Sequence, residues 1–274
     1  MVRALWSGAT GMIAQQNNVD TIANNIANVN TTGYKTEVNE FKSLLYQNLQ
    51  TRTTSANGEQ KPVAAQVGLG VRNAAVTSQF TQGALLESES NTALAINGKG
   101  FFSVRAENGE CYYTRDGNFT WALGNNNTLM LTNADGQVVL NTQGQPIQIN
   151  RDQYITSRIE IDADGALWYP NAENNLVRIP NMQVGTWQFQ NPKGLDKIGD
   201  NLYAVTDASG AALNEATNAN LEKSQIRQGY IEGSNVQVAD EMVNLIIAQR
   251  AYEMNSKVIQ ASDTMMQEAN ELRR

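Results

Sequence analysis

The sequence predicts an α+β protein. Long N- and C-terminal helices pack as a coiled-coil-like arm, and the middle of the chain forms an antiparallel, all-β domain of sandwich or barrel type. Three observations support that class. Apolar residues recur every seven positions at both ends. Between the ends no helical period persists, and short apolar or aromatic runs alternate with Asn-Gly and Asp-Gly dipeptides that supply the positive-φ positions of tight hairpins. The length, 274 residues, suits one large domain with appended arms.

In the first arm Leu5, Met12, Val19 and Ile26 fall seven residues apart, and Ala9, Ile22, Ala23 and Ala27 widen the row into one apolar stripe. Asn17, Thr21, Asn24 and Asn28 lie at helical spacing on another face. Arg3 and Asp20 are the only charges in the first thirty residues, although asparagine is a mediocre helix former whose side chain competes for backbone hydrogen bonds. Neutral hydrogen-bonding groups suit a helix contacted on several sides by copies of itself, where stacked Lys or Glu would repel or need desolvation. Leu5, Met12, Val19, Ile26, Asn24 and Asn28 are therefore expected at a subunit interface. The alternative is that the two arms pair within one chain as a two-helix stalk. Gly33 is expected to end the helix.

Residues 31–80 read as a connector. "FKSLLYQNL" (41–49) fits either a short helix or an extended packing segment, and "QTRTTSANGEQKPVAAQ" (50–66), polar and aperiodic with Gly58 and Pro62, reads as a flexible loop. Strand signals resume at "VRNAAVTSQF" and continue through "AINGKGFFSVR", "CYYTRDGNFTWA", "TLMLTNADGQVVLN", "RIEIDADGALWY", "LVRI", "MQVGTWQFQ" and "NLYAV". The central β domain is placed at 81–215, with a second connector at 216–236 and both arms leaving from one side.

The C-terminal arm carries an unbroken heptad row of Val238, Leu245, Tyr252, Ile259 and Met266, beside a second row of Ala251, Val258, Met265 and Leu272. A helix over 237–271 is predicted, capped by Ser234 or Asn235, with Asp240 and Glu241 favourably placed in its early turns. Arg250, Glu253 and Lys257 are spaced for ion pairs on its outside. Val238, Leu245, Tyr252, Ile259, Met266, Val258 and Met265 complete the expected subunit interface, and 1–30 with 237–274 form the helical assembly domain.

Composition narrows the function. A net charge of −7 and a pI near 4.8 argue against nucleic acid or an anionic membrane surface as partner. No apolar run approaches a membrane span, and the N-terminus lacks a signal-peptide core, so the chain is expected to stay inside or to leave without a cleaved leader. With no histidine, Ser–His–Asp and Cys–His catalysis and histidine-ligated metals are excluded. Cys111, the single cysteine, reads as a packed thiol. "DADG" (162–165) lacks the third acidic ligand and the distal Glu of a calcium loop, so it reads as a turn, as do Asp116–Gly117 and Asp135–Gly136. "NGKGFF" has no following helix and no Lys-Ser/Thr, so its glycines read as a tight bend rather than a phosphate loop. Glu107, Glu110, Asp116, Glu160, Asp162 and Asp164 are formal candidates for a glycosidase pair, but acidic residues at turns are ordinarily just solvated. No catalytic residue, cofactor or metal is expected.

"IANNIANVNTTGYK" (22–35) resembles the N-terminal signature of the bacterial flagellar rod and hook proteins, and "GYIEGSNVQVADEMVNLIIAQRAYEMNSKVIQASDTM" (229–265) resembles their C-terminal signature. "ALAINGKGFFSVR" followed by "YTRDGNF" is similar to the start of the family's β domain, although Ala93 stands where members commonly carry an acidic residue. These long, collinear motifs cover essentially the whole chain. Its length and the insert at about 46–66 are most similar to members of the distal rod, ahead of hook and proximal rod members.

The resemblance implies a structural subunit exported unprocessed by the flagellar secretion apparatus into the basal body, outside the cytoplasmic membrane in the periplasm or cell wall. It implies a hollow helical homopolymer whose C-terminal helices line an export channel inside a layer of N-terminal ones, with the β domain outside and the connector bracing it. Other rod proteins, the hook protein and bushing-ring proteins would be partners; nucleic acid and membrane insertion would not. Two rival classes are a trimeric β/coiled-coil fibre or adhesin, and a peptidoglycan-cutting enzyme using carboxylates.

Overall fold

Both heptad arms fold as helices, α1 over Val2–Ala27 and α2 over Val238–Glu271. The structure, a computed structural model, describes residues 2–50, 65–124, 127–171 and 175–272. Its chain divides into a helical unit of Met1–Ala27, Glu37–Ser78 and Gln237–Arg274, and a β unit of Asn28–Thr36 and Gln79–Val236.

In the helical unit α1 packs on α2 and on a β ribbon. The ribbon pairs β1 (Glu37–Ser43) with β4 (Val71–Ser78), from Glu37 opposite Ser78 to Ser43 opposite Val71, with a register shift at Glu40/Phe41. A second ribbon pairs β2 (Tyr46–Gln50) with β3 (Ala65–Gly68). "FKSLLYQNL" is thus extended, divided between the end of β1 and the start of β2, and most of the loop expected at 50–66 lies outside the described residues.

Two expected helix signals are used differently. Helix α1 stops at Ala27, well before Gly33. Gly33, at φ +69°, instead belongs to the β unit, where an added Cβ would stand 2.6 Å from the Asp116 amide nitrogen, so close backbone approach demands glycine. Helix α2 begins after Gln237 with no side-chain cap. Asn235 spends its side chain elsewhere: Oδ1 accepts from the Thr36 amide (2.7 Å) and hydroxyl (2.8 Å), and Nδ2 donates to the Gln79 carbonyl (2.9 Å). Asp240 and Glu241 do occupy the first turn, and Arg250 pairs with Glu253 at 2.8 Å.

The β unit starts with β5 (Leu85–Glu87), β6 (Leu94–Asn97), β7 (Phe101–Arg105), β8 (Cys111–Thr114) and β9 (Thr120–Leu123). It continues with β10 (Thr128–Thr132), β11 (Val138–Val139), β12 (Gln148–Asn150), β13 (Glu160–Ile161) and β14 (Ala166–Pro170). Then come β15 (Leu176–Gln183), β16 (Thr186–Gln188), β17 (Asp196–Gly199) and β18 (Leu202–Ala204). The last are β19 (Leu213–Asn214), β20 (Gln225–Gln228) and β21 (Tyr230–Glu232).

All these ladders are antiparallel. One ten-stranded sheet runs β12-β10-β11-β7-β8-β18-β17, with β9, β16 and β19 branching from it. A three-stranded sheet β13-β14-β15 and the ribbons β20-β6 and β21-β5 complete the unit. Branched sheets of this kind leave no closed barrel among the described strands.

Alternation along the strands fills the interior with Leu94, Ile96, Phe102, Val104, Phe119 and Leu131, all fully buried. Each such side chain contributes roughly 1.5–3 kcal/mol. A second cluster stacks Phe101, Tyr113, Phe189 and Tyr203 edge to face at 4.9–6.0 Å. Two of the dipeptides singled out as turns are turns: Gly165 donates to the Asp162 carbonyl at 2.8 Å between β13 and β14, and Gly136 to the Asn133 carbonyl at 3.1 Å, while Gly98 and Gly100 bend the chain from β6 into β7. Asp116–Gly117 is not a turn, because the Gly117 carbonyl is taken by the Leu94 amide at 2.9 Å in a close backbone approach. Ala93 is fully buried beside Asn118. Cys111 is exposed, contrary to expectation, because it stands at the end of β8, whereas Tyr112 and Tyr113 are covered on opposite faces by the two clusters.

Candidate functional site

Helices α1 and α2 close on small and polar residues. A Cβ on Gly8 would stand 3.0 Å from Ile259 Cγ1, and one on Gly11 2.8 Å from Asn255 Nδ2, so α2 approaches the α1 backbone where these side chains are missing. Ala14, Thr21, Ile22 and Asn25 of α1 are buried, as are Glu241, Ala248 and Ser262 of α2. On α2 these join Leu245, Ala251, Asn255, Ile259 and Met266, half-buried, in one seam whose steps are three or four residues.

Asparagine 25 anchors that seam. Its Oδ1 accepts from the Glu37 amide (2.9 Å), while its Nδ2 donates to the Glu37 carbonyl (2.8 Å) and approaches Glu241 Oε1 (3.4 Å). Burial raises the Glu241 pKa above the ordinary carboxylate value, with the Asn25 hydrogen bond opposing the shift. The expectation named Asn24 and Asn28 but passed over Asn25. Asn24 is exposed on α1, approaching Glu37 Oε2 at 3.4 Å, and Asn28, in the β unit, accepts from the Thr31 hydroxyl at 3.1 Å.

The other expected interface residues divide in two. Leu5, Met12, Val19 and Ile26 of α1 and Leu245, Ile259 and Met266 of α2 are half-buried. Val238, Tyr252, Val258 and Met265 are exposed. Around α2 at 100° per residue, Val258 and Met265 join Met242, Val243, Ile246, Ile247 and Met254 in a wide apolar stripe on the side away from the seam. Ile247 and Met254 are each 61% exposed. Trp6 (64%) and Ile13 (61%) are exposed seven residues apart on α1, on the face that also carries Asn24. The intrachain pairing therefore occurs and leaves the largest apolar side chains of both helices in solvent. The heptad rows located only part of that stripe, because apolar residues occupy nearly every heptad position of α2.

The quoted signature motifs meet inside the β unit. Glu232 is fully buried and receives Lys35 Nζ at 2.6 Å, the Gly83 amide at 2.9 Å and Arg115 Nη2 at 3.5 Å, all on Oε1. Arg115 Nε lies 3.1 Å from Oε2, an ionic contact without hydrogen-bond alignment. Arg115 also donates to the carbonyls of Gly98 (2.9 Å) and Gly100, and stands 5.6 Å over the Phe101 ring. Burial lowers the Arg115 pKa from its ordinary value despite Glu232. The Lys35 pKa is lowered to about 8, first by burial and then by Arg115, both outweighing the attraction of Glu232. Sequence offered no sign of this cluster, since Lys35 and Glu232 are 197 residues apart.

Of the formal carboxylate candidates, Glu107, Glu110, Glu160, Asp162 and Asp164 are exposed. Asp116 is half-buried, and burial raises its pKa. Among the described residues no helix is long and apolar enough to cross a membrane.

Three family models match the chain: Flagella basal body rod protein over residues 5–35, Flagellar hook protein FlgE/F/G D1 domain over 95–169, and Flagellar basal body rod FlgEFG protein C-terminal over 227–272. The chain is 40% identical, over the full length of both chains, to a flagellar basal-body rod protein FlgG of Borreliella burgdorferi. It is 41% identical to one of Agrobacterium fabrum, over 96% of this chain and 97% of the relative. A flagellar hook-basal body complex protein FlhP of Bacillus subtilis is 30% identical over the full length of both.

Proposed function

Since this chain belongs to the family of flagellar basal-body rod proteins, we propose that it is the repeating structural subunit of the distal rod. The subunits polymerise into a hollow helical shaft that carries motor torque to the hook and lets export substrates pass. One observation carries the polymer: the stripe of Met242, Ile246, Ile247 and Met254 on α2, exposed in the single chain. Burying each such residue against neighbouring subunits contributes roughly 1.5–3 kcal/mol, and the sum over a repeating lattice offsets the cost of ordering the helices.

In this proposal the stripe on α2 and Trp6 and Ile13 on α1 meet copies of the chain, while Leu245, Ile259 and Met266 hold the intrachain coiled coil. Residues 1–30 and 237–274 act as the assembly domain, 31–80 and 216–236 as bracing connectors, and 81–215 as a sandwich-like body. Its partners are further copies, other rod proteins, the hook protein and bushing-ring proteins. It works outside the cytoplasmic membrane, in the periplasm or wall, after export without leader cleavage, and needs neither cofactor nor catalytic group. Electron cryomicroscopy of concentrated purified chain tests the reading. Hollow tubes lined by α2 are expected; a discrete trimer by light scattering would contradict it and favour a fibre or adhesin.

A further inference from the structure

Residues 28–36 sit in the β unit without belonging to its hydrophobic clusters. Polar contacts dominate the hold on them: the Gly33 amide donates to the Glu232 carbonyl (2.8 Å), Asn201 Nδ2 to the Thr32 carbonyl (2.8 Å), and Lys35 to Glu232 and the Thr81 carbonyl (2.7 Å). Asn235 then ties Thr36 to Gln79, and the Gln79 amide donates to the Thr36 carbonyl at 2.8 Å. Thr36, Gln79 and Asn235–Val236 are three of the places where the chain leaves the β unit.

We propose that Glu232 is the keystone of an electrostatic latch, which holds residues 28–36 on the β unit and can open while the sheets stay folded. Glu232 is the carboxylate set between two buried cations, Lys35 and Arg115. The nearby Glu215 is committed to the Ser224 amide and hydroxyl and to Gln188, each at 2.8 Å. Take the Glu232 charge away and Lys35 must either stay charged against Arg115 in a dry site or surrender its proton there, and either costs more than the loss of one hydrogen bond. Release of residues 28–36 lets Lys35 reach water and relieves either cost, with no apolar cluster of the sheet disturbed. Closed, the latch gathers the exits at Thr36, Gln79 and Asn235 into one tether; open, each exit is free of the others. The device is internal to one chain and stands whether or not the chain polymerises.

Amide hydrogen exchange on the full dilute chain tests it through a double-mutant cycle. Glu232→Gln is expected to speed exchange at residues 30–36 and at Gln79 and Gly83 by tenfold or more, with β7, β8 and β18 unchanged. Lys35→Met, which leaves the Arg115–Glu232 pair intact, is expected to change the same amides less than threefold. Adding Lys35→Met to Glu232→Gln removes the surplus cation and is expected to recover most of the lost protection. The proposal is overturned if Glu232→Gln leaves residues 30–36 protected, if it loosens them and β7–β8 by the same factor, or if the two substitutions simply add. Should Glu232→Gln not fold, the double variant must fold, and its failure overturns the latch as well.

Discussion

The two units of this molecule differ in whether their large apolar side chains build a closed core. In the β unit Phe102, Phe119, Leu94 and Leu131 have no exposed surface. In the helical unit the seam is built from Gly8, Gly11, Ala14, Ala248 and Ser262, while Trp6, Ile13, Ile246 and Ile247 stand more than half exposed. Apolar area removed from water stabilises a fold at roughly 25 cal/mol per Å². The β unit also leaves Leu123, Ile155 and Ile198 more than half exposed, but it holds a fully buried core of large side chains within one chain and the helical pair does not. A contiguous exposed apolar stripe on a helix marks an interaction surface, which supports the proposal that the helical unit serves assembly.

The largest effect is expected where the stripe is broken. Ile246→Asp with Ile247→Asp places charges into the proposed subunit contact and should raise the concentration needed for polymerisation by about 100-fold or more, since each 1.4 kcal/mol is tenfold. Sedimentation measures it, and circular dichroism of the dilute chain should stay unchanged. Assembly at the normal concentration would remove α2 from the interface.

In the complete unit the response is reversed. Phe102→Ala, at a fully buried position, should destabilise the β unit by about 3–5 kcal/mol in denaturant melts while leaving helical signal to melt as before. A single shared transition shifted by that amount would mean that the two units fold as one body.

A finer comparison sets two neighbouring asparagines against each other. Asn25→Ala strips both backbone groups of Glu37 of their partner and should cost about 1–3 kcal/mol. Asn24→Ala, on an exposed face, should change stability by less than about 0.5 kcal/mol. Equal costs would reopen the asparagine face as a structural feature of the monomer.

A last comparison is of pH dependence. Lys35 is held near 8 in the fold against 10.5 when free, so between those values the unfolded chain binds more protons and stability of the β unit rises with pH. Above pH 10 the Tyr113 phenol, raised to about 12 by burial, acts with the opposite sign, because the fold keeps a proton that the unfolded chain loses. The melting temperature should therefore climb from pH 8 to about 10 and level off. Lys35→Met should abolish the climb, and a flat wild-type profile would contradict the assigned environment of Lys35.

Much of the fold was legible because its signals are local. The heptads located α2 to within a residue at its start, and Asn-Gly and Asp-Gly located the bends before β7 and β14. What stayed hidden depends on tertiary neighbours. Asn235 looks like a helix cap but finds Thr36 and Gln79 first. The heptad rows of α2 cannot say which side meets α1, because Leu245 and Ile246 are equally apolar and one step apart. Nor can spacing join Lys35 and Arg115 to Glu232, whose burial is decided by segments far apart in the chain.

Amide exchange in dilute and assembled protein measures whether the β core is finished in one chain and the helical pair only in the polymer. Protection along α2 should be weak at low concentration and strong after assembly, with no change in β7, β8 and β10. Protection of α2 in the dilute chain equal to that of those strands would contradict this contrast, and the helical pair would then be a stable stalk in its own right.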